Sequence, residues 1–100
     1  MDKEIKILFA DDDMLVCTVV EQAIFEAGWK PVIVHSGRDA YEQYLRNRPA
    51  VVVLDIAMPG MSGFEVAQLI RQDDHLTPII FYSGLTDEDY LLKSIELGEK

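Results

Sequence analysis

One hundred residues suffice for a single domain with a modest core, and 49% hydrophobic against 27% charged side chains suits a soluble globular chain. A formal net charge of −9, from eighteen acids against nine bases, argues against nucleic-acid binding by this surface, because phosphate contacts need clustered Lys and Arg. No apolar run approaches a membrane span, the acid-rich start MDKEIKILFADDD is unlike a signal peptide, and the lone Cys17 excludes an internal disulfide, so a reducing cytoplasm is expected.

In chain order, Ile5 to Ala10 predicts a first strand. Val16, Val19, Val20, Ala23, Ile24 and Ala27 then recur at helical spacing, and Gly28 sits where that helix would stop. Val32 to Val34 predict a short strand after Pro31. Ser36 and Asp39 resemble a capping box ahead of Ala40, Tyr41, Tyr44 and Leu45. Ala50 to Leu54 form the most apolar strand, and Ser62 with Glu65 repeats the capping pattern before Val66, Leu69 and Ile70. Pro78 opens a fourth strand, IIFYS, and Thr86 with Asp89 starts a fourth helix ending near Gly98. Apolar strands alternating with helices imply a parallel sheet covered on both faces, an α/β domain spanning residues 1–100.

In such a sheet, ligands bind outside the carboxyl ends of the strands. The first strand ends in Asp11, Asp12 and Asp13, the third in Asp55 and the fourth in Ser83. Neighbouring strands lie roughly 5 Å apart, so some of these anions must meet. Protonation or a bound cation would relieve their repulsion. All-oxygen ligands select a hard ion, Mg²⁺ or Mn²⁺, over zinc. Beside such an ion a carboxylate oxygen can attack phosphorus, and Asp55, alone at the end of the most buried strand, is the candidate nucleophile. The Ser83 hydroxyl could donate to a phosphoryl oxygen. Each residue also has a purely structural role open to it: acids at 11–13 favour a helix start, Asp55 can open the turn at Pro59–Gly60, and Ser83 can cap a loop. Cys17 is expected to be an inert packing residue.

The segments ILFADDDM, VVVLDIAMPGMSGFEV and PIIFYSG together resemble the receiver domain of two-component response regulators, over essentially the whole chain. The resemblance implies a flavodoxin-like sheet in the order 2-1-3-4 flanked by helices, with the fifth strand and helix of that fold missing from this chain. It implies that Asp55 is the phospho-acceptor, that Asp11 and Asp12 hold Mg²⁺ with Asp12 the direct ligand, and that the Ala57 backbone carbonyl completes the shell. Ser83 matches the switch hydroxyl, followed by the small Gly84, and Asp13 is expected to serve the helix start. The implied partners are a histidine kinase or phosphotransfer protein as donor and a downstream effector or attached output domain as reader.

Two departures stand out. The family's Lys and its aromatic switch residue belong to the fifth strand, and Lys93 and Lys100 do not replace that Lys. Ala57 and Leu85, at positions that tune hydrolysis in the family, are both apolar. An uncovered fourth strand predicts either that the natural protein continues past Lys100 or that this length self-associates through its fourth strand or fourth helix. Two other classes stay open. Asp11-x-Asp13 also resembles the haloacid-dehalogenase-type phosphatases, although Met14 and Leu15 do not complete that motif. A non-phosphorylated scaffold that keeps the fold for protein binding is the other.

Overall fold

The computed structural model describes residues 4–82. In chain order these form β1 (Lys6–Ala10), α1 (Met14–Glu26), β2 (Lys30–Val34), α2 (Gly37–Asn47), β3 (Val51–Asp55), α3 (Gly63–Arg71) and β4 (Ile79–Tyr82). The strands make one parallel sheet in the order β2-β1-β3-β4, as the resemblance implies. No helix among the described residues is long and apolar enough to cross a membrane. The expected fourth helix, Ser83, Gly84, Leu85, Lys93, Lys100 and any partner for the outer edge of β4 lie outside the described residues.

Strand alternation sorts the core into two layers. Leu8, Ala10, Val52, Leu54, Ile79 and Phe81 face α2 and α3, packing with Ala40, Tyr44, Val66, Ala67 and Ile70. Ile7, Phe9, Val51, Val53 and Tyr82 face α1, where Val16, Cys17, Val20 and Ile24 meet them. Val19, counted on the apolar stripe in the sequence, is 63% exposed, because Cys17 occupies the buried face and Val19, two residues on, points away. Leu45 is likewise exposed, while its neighbour Tyr44 is buried.

The strand limits shift for identifiable reasons. β2 begins at Lys30 and includes Pro31, which lacks an N–H but belongs to a strand paired only with β1 among the described strands. The Lys30 N–H on its near side bonds to the Ile5 carbonyl at 2.8 Å. β3 runs to Asp55 itself, so the carboxylate is the last residue of the strand, not the first beyond it.

Helix starts follow the capping chemistry. Ser62 and Glu65 form a reciprocal box, with bonds of 3.2 Å to the serine hydroxyl and 2.9 Å to the glutamate. At Ser36 the hydroxyl accepts from the Asp39 N–H at 3.1 Å. Gly63 lies at a close approach: a Cβ there would sit 2.5 Å from the Asp55 carbonyl oxygen, so only glycine lets α3 start against the end of β3.

Away from the carboxyl ends of the strands, Asp74 ties the α3–β4 connection to α2. Its carboxylate accepts from the Thr77 hydroxyl (2.5 Å), the Tyr44 hydroxyl (2.6 Å) and the N–H groups of Leu76 (2.9 Å) and Thr77 (3.0 Å). Arg48, in the left-handed region at φ 44°, donates to the Tyr44 oxygen at 2.8 Å and covers the ring. The Thr77 and Tyr44 hydroxyls hold the Asp74 carboxyl well below its ordinary value. A depressed acid contributes stability above its unfolded value, 3.8, and loses it as pH falls below that value. Asp74→Ala is therefore expected to lower unfolding free energy by about 1–3 kcal/mol at neutral pH, and by less in acid. Urea titrations across that range check this; an equal loss at both ends would contradict the assigned ionisation.

Candidate functional site

Register builds the site before any side-chain detail is considered. β1 pairs with β3 so that Ala10 stands opposite Leu54, and the next residue on each chain is an aspartate. Asp55 in turn pairs with Tyr82 of β4. By alternation, Asp11, Asp55 and Tyr82 project on the α1 side of the sheet at its carboxyl edge. Asp12 joins them from the turn after β1. One oxygen from each of Asp11, Asp12 and Asp55 lies within 4.8 Å of the others. Asp11 is 4% exposed and Asp55 9%, whereas Asp12 is open to solvent.

The fourth acid of the sequence pattern goes elsewhere. Asp13 caps α1, its carboxylate accepting from the N–H groups of Leu15 at 3.0 Å and Val16 at 3.3 Å. That is the helix-start role expected for it. Its own N–H donates to Asp11 Oδ1 at 2.9 Å. Asp11 Oδ2 accepts from the Tyr82 hydroxyl, so both oxygens of this carboxylate hold a fixed donor. Asp55 Oδ1 accepts from the Ala57 N–H at 3.2 Å. The chain after β3 is further held by the Ile56 N–H on the Tyr82 carbonyl (3.1 Å) and the Gly63 N–H on the Ile56 carbonyl (3.2 Å).

Burial raises the Asp11 pKa to about 6, and a hydrogen bond and charge repulsion from Asp55, with more charge from Asp12, push the same way; the Asp13 N–H opposes them. Cys17 lies directly beneath, its thiol donating to the Asp11 carbonyl at 3.1 Å with His35 Nδ1 at 3.5 Å. Burial, then the Asp11 charge, pushes this thiol upward, away from the reactive thiolate. It packs, as expected.

The structure thus brings together Asp11, Asp12 and Asp55 and places Ala57 against Asp55, while Ser83 lies outside the described residues. Sequence reasoning missed Tyr82. The available signal was a phenol in an otherwise apolar strand, since a buried Tyr hydroxyl needs a polar partner. Chemically, three carboxylates with no His or Cys ligand among them suit a hard cation, and Asp55 offers a carboxylate oxygen at the end of a central strand.

Residues 7–100 match the response regulator receiver domain family. The chain is 31% identical to the transcriptional regulatory protein TrcR of Mycobacterium tuberculosis, over 95% of this chain and 42% of that protein. It is 33% identical to AfsQ1 of Streptomyces coelicolor, over 92% and 40% respectively. The chain therefore spans about two fifths of the length of these relatives. Among solved structures, the chemotaxis protein CheY4 of Vibrio cholerae superposes with a TM-score of 0.90 at 25% identity, covering 98% of this chain and 83% of that one. This chain belongs to the response regulator receiver domains of two-component signalling. The haloacid-dehalogenase alternative falls with that assignment.

A raised acid favours the folded state most fully below its unfolded value and loses that contribution as pH rises through its folded value. For Asp11 the loss spans 3.8 to about 6. In the absence of divalent ions, Asp11→Asn should raise unfolding free energy at pH 7 by about 1–2 kcal/mol and flatten the fall in stability across that window. Urea unfolding in chelator at a series of pH values measures it. Parallel pH profiles for the two proteins would remove Asp11 as the cause.

Proposed function

We propose that Asp55 accepts a phosphoryl group from the phosphohistidine of a histidine kinase or phosphotransfer protein. The observation that carries this reading is the carboxylate of Asp55 at the last position of β3, with oxygens of Asp11 and Asp12 within 4.8 Å. An Asp55 oxygen would form the new bond to phosphorus as the phosphorus–nitrogen bond to the imidazole breaks, leaving an acyl phosphate. Asp11, Asp12 and Asp55, with the Ala57 backbone carbonyl, would hold Mg²⁺ (or Mn²⁺), and their donor set fits such an ion. When bound, the ion supplies positive charge to the phosphoryl oxygens. The chain's own contribution is placement: the Ala57 N–H holds one Asp55 oxygen, and the contact at Gly63 fixes the backbone that carries it.

Ser83, which follows Tyr82 directly, is assigned the switch hydroxyl. A phosphoryl group adds about −1.5 to −2 charge, drawing that hydroxyl inward and altering the neighbouring surface. A downstream effector or an attached output domain reads the change. Relatives named as transcriptional regulatory proteins, more than twice this length, favour an attached domain as the reader. Cytoplasmic placement accords with a kinase-fed acceptor.

The test is labelling with a small phosphodonor such as acetyl phosphate, read by intact-protein mass. Wild type with Mg²⁺ should gain one phosphoryl group, chelator should abolish the gain, and Asp12→Ala should reduce it at least tenfold. Asp55→Asn, isosteric but unable to attack phosphorus, should gain none while keeping its fold by circular dichroism. Labelling that persists in Asp55→Asn would move the chemistry elsewhere. A wild type that binds Mg²⁺ yet never labels would favour the unphosphorylated scaffold.

A further inference from the structure

The Tyr82 phenol carries an inference that depends on the metal-binding reading above. Its ring stacks on Phe9 of β1, with centroids 5.5 Å apart and planes 17° from parallel. Its backbone is fixed as well, by the β3–β4 register at Asp55 and by the bond from the Ile56 N–H to its carbonyl. From that position the side chain crosses β3 and its hydroxyl donates to Asp11 Oδ2. Asp11 Oδ1 is held independently by the Asp13 N–H.

A carboxylate oxygen has two lone pairs, so one donor on each oxygen leaves further acceptor capacity toward Asp12 and Asp55. Unanchored, the Asp11 carboxylate would turn away from those two negative neighbours to lower their repulsion. The two donors oppose that rotation, and the phenol bond is charge-assisted. We propose that Tyr82 is a positioning residue of the cation site, acting through Asp11 to hold its carboxylate beside Asp12 and Asp55. Its ring serves packing against Phe9, and its hydroxyl serves the site.

That division makes the roles separable. Tyr82→Phe keeps the stack and removes only the donor, while Tyr82→Leu removes both. The measurement is calorimetric titration of the full chain with Mg²⁺, beside urea unfolding in chelator. Loss of an outer-shell partner typically weakens metal affinity about tenfold or more. Tyr82→Phe should therefore unfold at a midpoint closer to wild type than Tyr82→Leu and bind Mg²⁺ about tenfold more weakly. Its Asp13 amide proton resonance should move in the metal-free state as Asp11 is released. Tyr82→Leu should be weakened in both stability and affinity, so the conservative variant rescues folding but not binding. Wild-type affinity and an unmoved Asp13 resonance in Tyr82→Phe would overturn the inference while leaving the site intact. A wild type that binds no Mg²⁺ would overturn the metal reading and this inference with it.

Discussion

Two carboxylates meet because β1 and β3 pair in parallel with Ala10 opposite Leu54, and the next residue after each is an aspartate. That juxtaposition cannot be relaxed locally. Moving Asp55 away from Asp11 would slip β3 against β1, and a one-residue slip turns Val52 and Leu54 out of the fully buried layer they share with Leu8. Burying those two side chains is worth roughly 2 kcal/mol each or more. The hydrophobic layers therefore hold the anions together, and burial, with the Asp55 and Asp12 charges adding to it, raises the Asp11 carboxyl. Gly63 extends the constraint beyond the sheet, since α3 begins in contact with the Asp55 carbonyl and a larger residue would have to displace it.

Much of this was legible in the sequence because it depended on local chemistry. Apolar strands, helical spacing and Ser-x-x-acid starts located all seven described elements, and the strand-end rule put Asp11, Asp12 and Asp55 on one rim. The order of the strands came from the family resemblance, not from periodicity. What local pattern could not decide was which way individual side chains turned. Val19 matches the spacing of its stripe but yields the buried face to Cys17. Pro31 looked like a strand boundary until β2 proved to be paired on one side only among the described strands.

Tyr82 shows a different limit. Its partner Asp11 is 71 residues away and two strands across, so the contact follows only once strand order and both registers are known. With those in hand it follows from parity alone: Asp11, Asp55 and Tyr82 share one sheet face, and a phenol is long enough to pass its neighbour. The same parity gives the ring its stack on Phe9. A residue whose body is core and whose tip reaches a carboxylate cluster is easily assigned to the core, because apolar neighbours dominate its surroundings in the sequence.

Asp11 and Asp74 are the same residue type driven in opposite directions, and the contrast separates scaffold from site. Asp74 has hydroxyl and N–H donors converging on its charge, so ionisation strengthens the link between α2 and the start of β4. At Asp11 burial, with the Asp55 and Asp12 charges, outweighs the Asp13 N–H and raises the carboxyl. At neutral pH the network at Asp74 is at full strength, while the carboxylates at the other end of the sheet remain in conflict. β4 joins the two regions: Thr77 and Pro78 lead into it beside Asp74, and Tyr82 closes it beside Asp11. Because the entry to β4 is held by a network that needs no ligand, binding energy at its exit need not be spent on assembling the sheet. A cation placed among Asp11, Asp12 and Asp55 would relieve a repulsion already present in the folded state, so its binding would add stability by countering the negative charges that the fold gathers there.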